Sequence, residues 1–202
     1  MRGLIGKTLK YFDIALATAS PRRRELIAKI QCVRPVFFKT DAREVTLPSA
    51  RETAIVNARK KGELASTLTD LPLLAFDTVV GVNGEVLGKP KDRAQAVEMF
   101  EKLCGRAHEV YTAVYFRVKS KIIEKIEKTT VEFGAFDAQL VYNYVDSGAP
   151  YDKAGGYNID DRHIKPLIKR VAGDYDNVVG LPVRLTEKLI EENLYGEIGH
   201  RT

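Results

Sequence analysis

The chain has 202 residues, 45% of them apolar, with a formal net charge of +5 and a pI near 9.1. That apolar share supports a packed core and excludes wholesale disorder, and no apolar run approaches the roughly 20 residues needed to cross a bilayer. The basic residues are spread along the chain, which suits a protein that handles anions, from a nucleotide up to a nucleic acid.

Residues 12–18, FDIALAT, form a short apolar run suited to a buried first strand. Ser20 as N-cap and Pro21 at the first helical position then open a helix whose core side is Leu26, Ile27 and Ile30. VRPVFFKT (33–40) reads as a second strand, running into a polar loop with Asp41 and Glu44. Ser49 and Glu52 form a capping box at the start of the next helix. Ala54, Ala58, Ala65 and Leu68 line one side of that helix, and Lys61 falls on the same side, seven residues being nearly two turns.

LPLLAFDTVVGV (71–82) is an apolar strand, Asn83-Gly84 a hairpin turn, and GEVLGKP the returning segment. Asp92 with Gln95 caps a third helix carrying Val97, Met99, Phe100 and Leu103, which stops at Gly105. From 107 to 136 the pattern is β, in three pieces: EVYTAVYFRV, KIIEKIE and TTVEFGAF. A helix over 137–146 buries Leu140, Val141 and Val145. The Gly-rich DKAGGYNID (152–160) precedes an apolar strand near 163–171, and the sequence closes with NVVGLP and an amphipathic helix, PVRLTEKLIEENL. Interleaved helices, hairpins and crossovers place the chain in the α/β class, with a mixed sheet flanked by helices. One domain over 1–202, in two lobes around a cleft, is the expected organisation.

Cys32 and Cys104 lie far apart with no CxxC, and read as reduced thiols in a core. The N-terminal MRGLIGKTLKYFDIALA has no signal-like apolar block with a small-residue cleavage site, so a cytoplasmic protein is expected. His108, His163 and His200 are too scattered to form a metal site.

A few polar residues are out of place. Arg22, Arg23 and Arg24 follow Ser20-Pro21 at a helix start, where the dipole disfavours cations unless an anion offsets the repulsion. Asp77 interrupts LLAFDTVVGV, and a carboxylate on a buried strand must be paired, protonated or metal-bound. Lys61 on an alanine face and Lys89 in GKP suit phosphate oxygens as point charges. Neither a GxxxxGK[ST] nor a GxGxxG phosphate loop is present.

These segments, in this order, resemble the Maf family of nucleoside triphosphate pyrophosphatases, once described as septum-formation inhibitors. The similarity runs from LATASPRRREL through ETAIVNARKKGELA, AFDTVVGVNGEVLGKPKD, GRAHEVYTAV and SGAPYDKAGGYNI to GDYDNVVGLP, about nine-tenths of the chain. The resemblance implies an elongated, two-lobed fold of the inosine-triphosphatase (Ham1) kind with a central cleft. It also implies cleavage of a nucleoside triphosphate between its α and β phosphates, a divalent cation (Mg²⁺ or Mn²⁺), and a homodimer. The catalytic carboxylate of the family's ADT motif falls on Asp77, and its lysines on Lys61 and Lys89. The acidic loop residue matches Glu44, the SPRR helix start is Ser20 to Arg23, and the DKAG motif is Asp152 to Gly155. Asp77 and Glu44 would hold the metal, Arg22, Lys61 and Lys89 would clamp the triphosphate, and Asp77 would orient or deprotonate the attacking water.

In the dTTP- and UTP-preferring branch the resemblance ties base choice to an Arg of SPRR, the Thr of ADT and a Gln of YGIQG. Arg22 and Thr78 fit that pattern, but Asp160 stands where the Gln would be, and Phe76 replaces the Ala of ADT. A carboxylate cannot donate to a pyrimidine carbonyl as an amide does. The enzyme would act either on dTTP- or UTP-like nucleotides or on modified ones alone. The alternative is a non-catalytic regulator of cell division that binds nucleotide or RNA. No dense Lys/Arg stripe with interleaved aromatics predicts a stable nucleic-acid complex.

Overall fold

The computed structural model describes residues 11–195. Most of the N-terminal stretch read above, and His200, lie outside the described residues. Among the described residues, seven strands form one mixed sheet: β1 (Phe12–Ala17), β2 (Val33–Phe38), β3 (Leu73–Val82), β4 (Glu85–Leu87), β5 (Ala107–Val118), β6 (Lys121–Phe133) and β7 (Ile168–Ala172). Their order is β2-β1-β3-β5-β6-β7, with β4 also paired to β3. β1 runs parallel to both β2 and β3, while the other pairs are antiparallel. The helices are α1 (Pro21–Ile27), α2 (Ala50–Ser66), α3 (Arg93–Leu103), α4 (Ala138–Asp146), α5 (Tyr175–Val179) and α6 (Val183–Ile190).

The local signals act as their chemistry requires. The side chains of Ser20, Ser49, Asp92 and Asp137 each accept from the backbone N–H three residues on, capping α1, α2, α3 and α4. Asn83 and Gly84 turn the β3–β4 hairpin with φ of 50° and 79°, the left-handed pair that a two-residue turn demands.

The expected boundaries move in three places. KIIEKIE and TTVEF are one strand, because β5 pairs with β6 without a break from Val118↔Lys121 to Ala107↔Glu132 and no Gly or Pro interrupts the run. β7 begins at Ile168 rather than near 163, since Pro166 sits in a tight turn over Lys165–Leu167 and has no N–H to give a sheet. Leu68 lies beyond the end of α2 and is 56% exposed, so the apolar side of that helix consists mainly of small residues, with Ile55 packed beside them.

Period-two alternation in β3 divides the protein into two cores. Leu74, Phe76, Val80 and Val82 face a large core with Phe100, Phe133 and Tyr144. Leu73, Ala75 and Val79 face a smaller one, built with Ala54, Ala58 and Ala65 of α2 and with Tyr115. α2 lies very close to β5: a Cβ on Gly62 would stand 2.1 Å from the Tyr115 ring, so only glycine fits there. That approach brings the preceding residue, Lys61, down to the sheet.

Candidate active site

β3 has two edges. One pairs with β5 over Leu73–Gly81. The other pairs with β1 only over Leu73–Ala75 and with β4 only over Val80–Val82. Residues 76–79 therefore have a bare edge, and a cleft of about 530 Å³ opens there. The loop leaving β1, the start of α1, the Glu44 loop, α2, the Lys89 loop, the DKAG loop and the end of α5 all line it. A crevice beyond the carboxyl end of a strand, where neighbouring strands part, is the usual ligand position in open α/β sheets.

Asp77 points from that bare edge toward α2. It is 6% exposed, and Lys61 Nζ donates to its Oδ1 at 2.5 Å. The same ammonium donates to Glu44 Oε1 at 2.7 Å, and Lys89 Nζ stands 3.5 Å from Glu44 Oε2. Two carboxylates and two ammonium groups thus alternate along one wall. Burial lifts the Asp77 carboxyl above the usual carboxylate range, against the pull of Lys61 and Arg23. For Glu44 burial pushes the same way, but Lys61 and Lys89 prevail and hold it below that range. Among the described residues no three His, Cys, Asp or Glu side chains gather into a metal cluster.

Thr78, one residue on, points to the opposite layer. Its Oγ1 accepts from Arg23 Nη2 at 3.0 Å, and Arg23 Nε donates to the Gly180 carbonyl at 2.7 Å. Burial lowers the Arg23 pKa. The three arginines therefore have three fates. Arg23 joins Thr78 to the end of α5. Arg22 lines the cleft with no hydrogen bond or ion pair among the described residues, its charge being felt at Asp152. Arg24 is exposed, its guanidinium 4.5 Å from the centre of the Phe37 ring. The arginine beside Thr78 is Arg23, whereas the sequence motif pointed to Arg22.

Ser20, Arg22, Arg23, Glu44, Lys61, Asp77, Thr78 and Lys89 all line the cleft. Asp160 does not; it is exposed and accepts from the Tyr175 hydroxyl at 2.8 Å.

One contributor escaped sequence reading, and two more lie in the DKAG motif, which the resemblance marked without giving it a role. Asn57 is buried on α2, one turn before Lys61. Its Oδ1 accepts from Val45 N–H at 2.9 Å, and its Nδ2 donates to Val45 O at 3.0 Å and to Asp77 Oδ2 at 3.3 Å. It ties the Glu44 loop to Asp77, and a polar residue on the alanine face of α2 was the signal for it. Lys153, its side chain 13% exposed, donates to Ala149 O at 2.7 Å and pairs with Asp152, and both line the cleft with Lys61. Gly155 holds their loop in place: its φ is +69°, its N–H donates to Gly88 O at 2.9 Å, and a Cβ there would meet Val80 at 2.8 Å. The residue beside Lys89 is thus tied to the DKAG loop.

Comparison with solved structures gives the fold. Ham1 proteins from Staphylococcus aureus and Coxiella burnetii superpose with TM-scores of 0.54 and 0.52, each at 16% identity. They cover 89% and 90% of this chain, and 98% and 99% of their own. Closer relatives in sequence are a dTTP/UTP pyrophosphatase of Pyrococcus furiosus, 39% identical over 93% of this chain and 96% of its own, and one of Carboxydothermus hydrogenoformans, 40% identical over 88% and 97%. A third, from Salmonella typhimurium, is 38% identical over 87% of this chain and 90% of its own. The residue pattern of the Maf-like proteins matches residues 13–193, which contain every helix and cleft residue described above and all of the strands except Phe12 at the start of β1. The chain belongs to the Maf-like protein family.

Proposed function

We propose that this protein is a nucleoside triphosphate pyrophosphatase of the house-cleaning kind, converting dTTP, UTP or nucleotides like them to the monophosphate and pyrophosphate. The observation that carries the proposal is the wall on which Lys61 bridges Asp77 and Glu44 with Lys89 beside them, at the bare edge of β3. A buried carboxylate among cations is more than a polyanion-binding patch needs. It is what in-line attack on a phosphoryl group needs: a proton acceptor for water, and charge to meet the phosphate oxygens.

Lys61, Lys89 and the unpaired Arg22 hold the triphosphate from three sides. Asp77 takes the proton of the attacking water, a task suited to a carboxyl whose burial raises its pKa. Glu44 and Asn57 keep Lys61 and Asp77 in place. Arg23 and Thr78, on the far side of β3, face the base. The carboxylates of Asp77 and Glu44 converge on one ammonium, so their oxygens also fit a hard divalent cation that completes its shell with water and phosphate. Mg²⁺ or Mn²⁺ there would neutralise charge growing on the phosphate oxygens. Among the described residues no helix is long and apolar enough to cross a membrane. A cytoplasmic homodimer completes the reading, on the strength of family resemblance.

The test is to incubate the purified protein with dTTP, UTP and a panel of other nucleoside triphosphates, with Mg²⁺, Mn²⁺ or chelator, and to identify the products. Monophosphate with pyrophosphate is the expected result, abolished by chelator. Orthophosphate with diphosphate, or no turnover on any nucleotide, would overturn it.

A further inference from the structure

Behind Thr78 lies a buried chain of hydroxyl groups. Thr78 Oγ1 stands 3.0 Å from Thr112 Oγ1 on β5, and Thr112 Oγ1 donates to the Asn177 carbonyl of α5 at 2.9 Å. Thr112 and Asn177 are fully buried. Asn177 is itself fixed, its Nδ2 donating to Val110 O at 3.1 Å and to Thr129 Oγ1 at 2.9 Å. A hydroxyl has one hydrogen and two lone pairs. Thr112 has spent its hydrogen on Asn177, so in the contact with Thr78 it is the acceptor and Thr78 the donor. Thr78 also accepts from Arg23. It is left with one lone pair and no hydrogen for anything in the cleft.

We propose that Thr112 is a specificity-positioning residue: by turning the Thr78 hydroxyl hydrogen away from the cleft, it leaves Thr78 as an acceptor only, beside the donor Arg23. This rests on the pyrophosphatase reading above. A donor and an acceptor side by side match a base edge that places a carbonyl next to a ring N–H, as in uracil, thymine, guanine and hypoxanthine. Cytosine and adenine offer the reverse, a ring nitrogen lone pair next to an amino group, and their lone pair would meet the Thr78 oxygen. Val110, Val178 and Val179 add apolar lining to the same cleft, which weakens the screening of such a mismatch by water.

The experiment measures kcat/KM for UTP and CTP, two bases of one ring size, with wild type, Thr112→Val and Thr112→Ser, each checked for folding by thermal melting. Wild type should favour UTP. Thr112→Val frees the Thr78 hydrogen to meet the cytosine lone pair, and the UTP:CTP ratio should fall by about tenfold, the scale of one misdirected hydrogen bond. Thr112→Ser keeps the relay and should keep the ratio, whereas a merely structural role of Thr112 would leave the ratio unchanged in Thr112→Val as well. A folded Thr112→Val with the wild-type ratio would overturn the inference. So would a wild type indifferent between UTP and CTP, a result that needs no variant to fold. Absence of turnover on every nucleotide is a different failure: it removes the pyrophosphatase reading, and the relay with it.

Discussion

Asp77 and Thr78 are neighbours in β3, yet they serve opposite layers of the molecule. Asp77 meets Lys61 of α2 at 2.5 Å, and Thr78 meets Arg23 of α1 at 3.0 Å. The alternation of a strand puts the two side chains on different faces, and the bare edge at residues 76–79 opens both to one cleft. On the proposed reading, a substrate lying across that edge would present its phosphates to Asp77 and its base to Thr78.

Asp77→Asn preserves shape and a hydrogen bond but removes the proton acceptor. Pyrophosphate release should fall by about a thousandfold, within the range for loss of a positioned general base. The melting temperature should change by only a few degrees, because Lys61 keeps Glu44 as a partner. Turnover within tenfold of wild type would remove Asp77 from the reaction.

Asn57→Ala breaks the tie between the Glu44 loop and Asp77. Three hydrogen bonds are lost from a buried side chain, a cost of about 2 kcal/mol, or roughly 5 °C in a chain of this size. The specific consequence is local: amide exchange at Val45 should accelerate far more than exchange in β5. Uniform acceleration across the protein would show general destabilisation instead.

Gly155→Ala meets two obstacles, a left-handed backbone and the Val80 side chain 2.8 Å from the new Cβ. Together they should cost about 2 kcal/mol or more. Pairing it with Val80→Ala should recover the steric part but not the backbone part. Calorimetric melting of the two single variants and the double variant measures the split.

His108 is buried against Phe133 and Tyr157, and burial drops its pKa from 6.5 to about 4. A depressed pKa means that the unfolded chain binds the proton first. Stability attributable to His108 is complete above pH 6.5 and lost as pH falls toward 4, by about 3 kcal/mol in all. Urea melts between pH 7 and 4 should show this slope, and His108→Phe should flatten it. An equal slope in both proteins would place the titration elsewhere.

Much of this architecture was legible in the sequence. The caps at Ser20, Ser49 and Asp92 were, because each is a hydrogen bond spanning three residues. The strand at 73–82 and the helix at 50–66 were, because their apolar periods differ. Asp77, Lys61 and Lys89 stood out because charge in such surroundings needs a partner. The sequence by itself therefore determined the elements, most of their order and the residues under chemical tension. It paired Arg22 rather than Arg23 with Thr78, because the Arg23–Gly180 bond spans 157 positions and no local pattern encodes a contact of that range. It overlooked Asn57, Thr112 and Asn177, polar groups that look unexceptional until neighbouring elements leave them no water to bond. Only the tertiary structure decided these, because the direction of a buried hydrogen bond depends on every donor and acceptor packed around it.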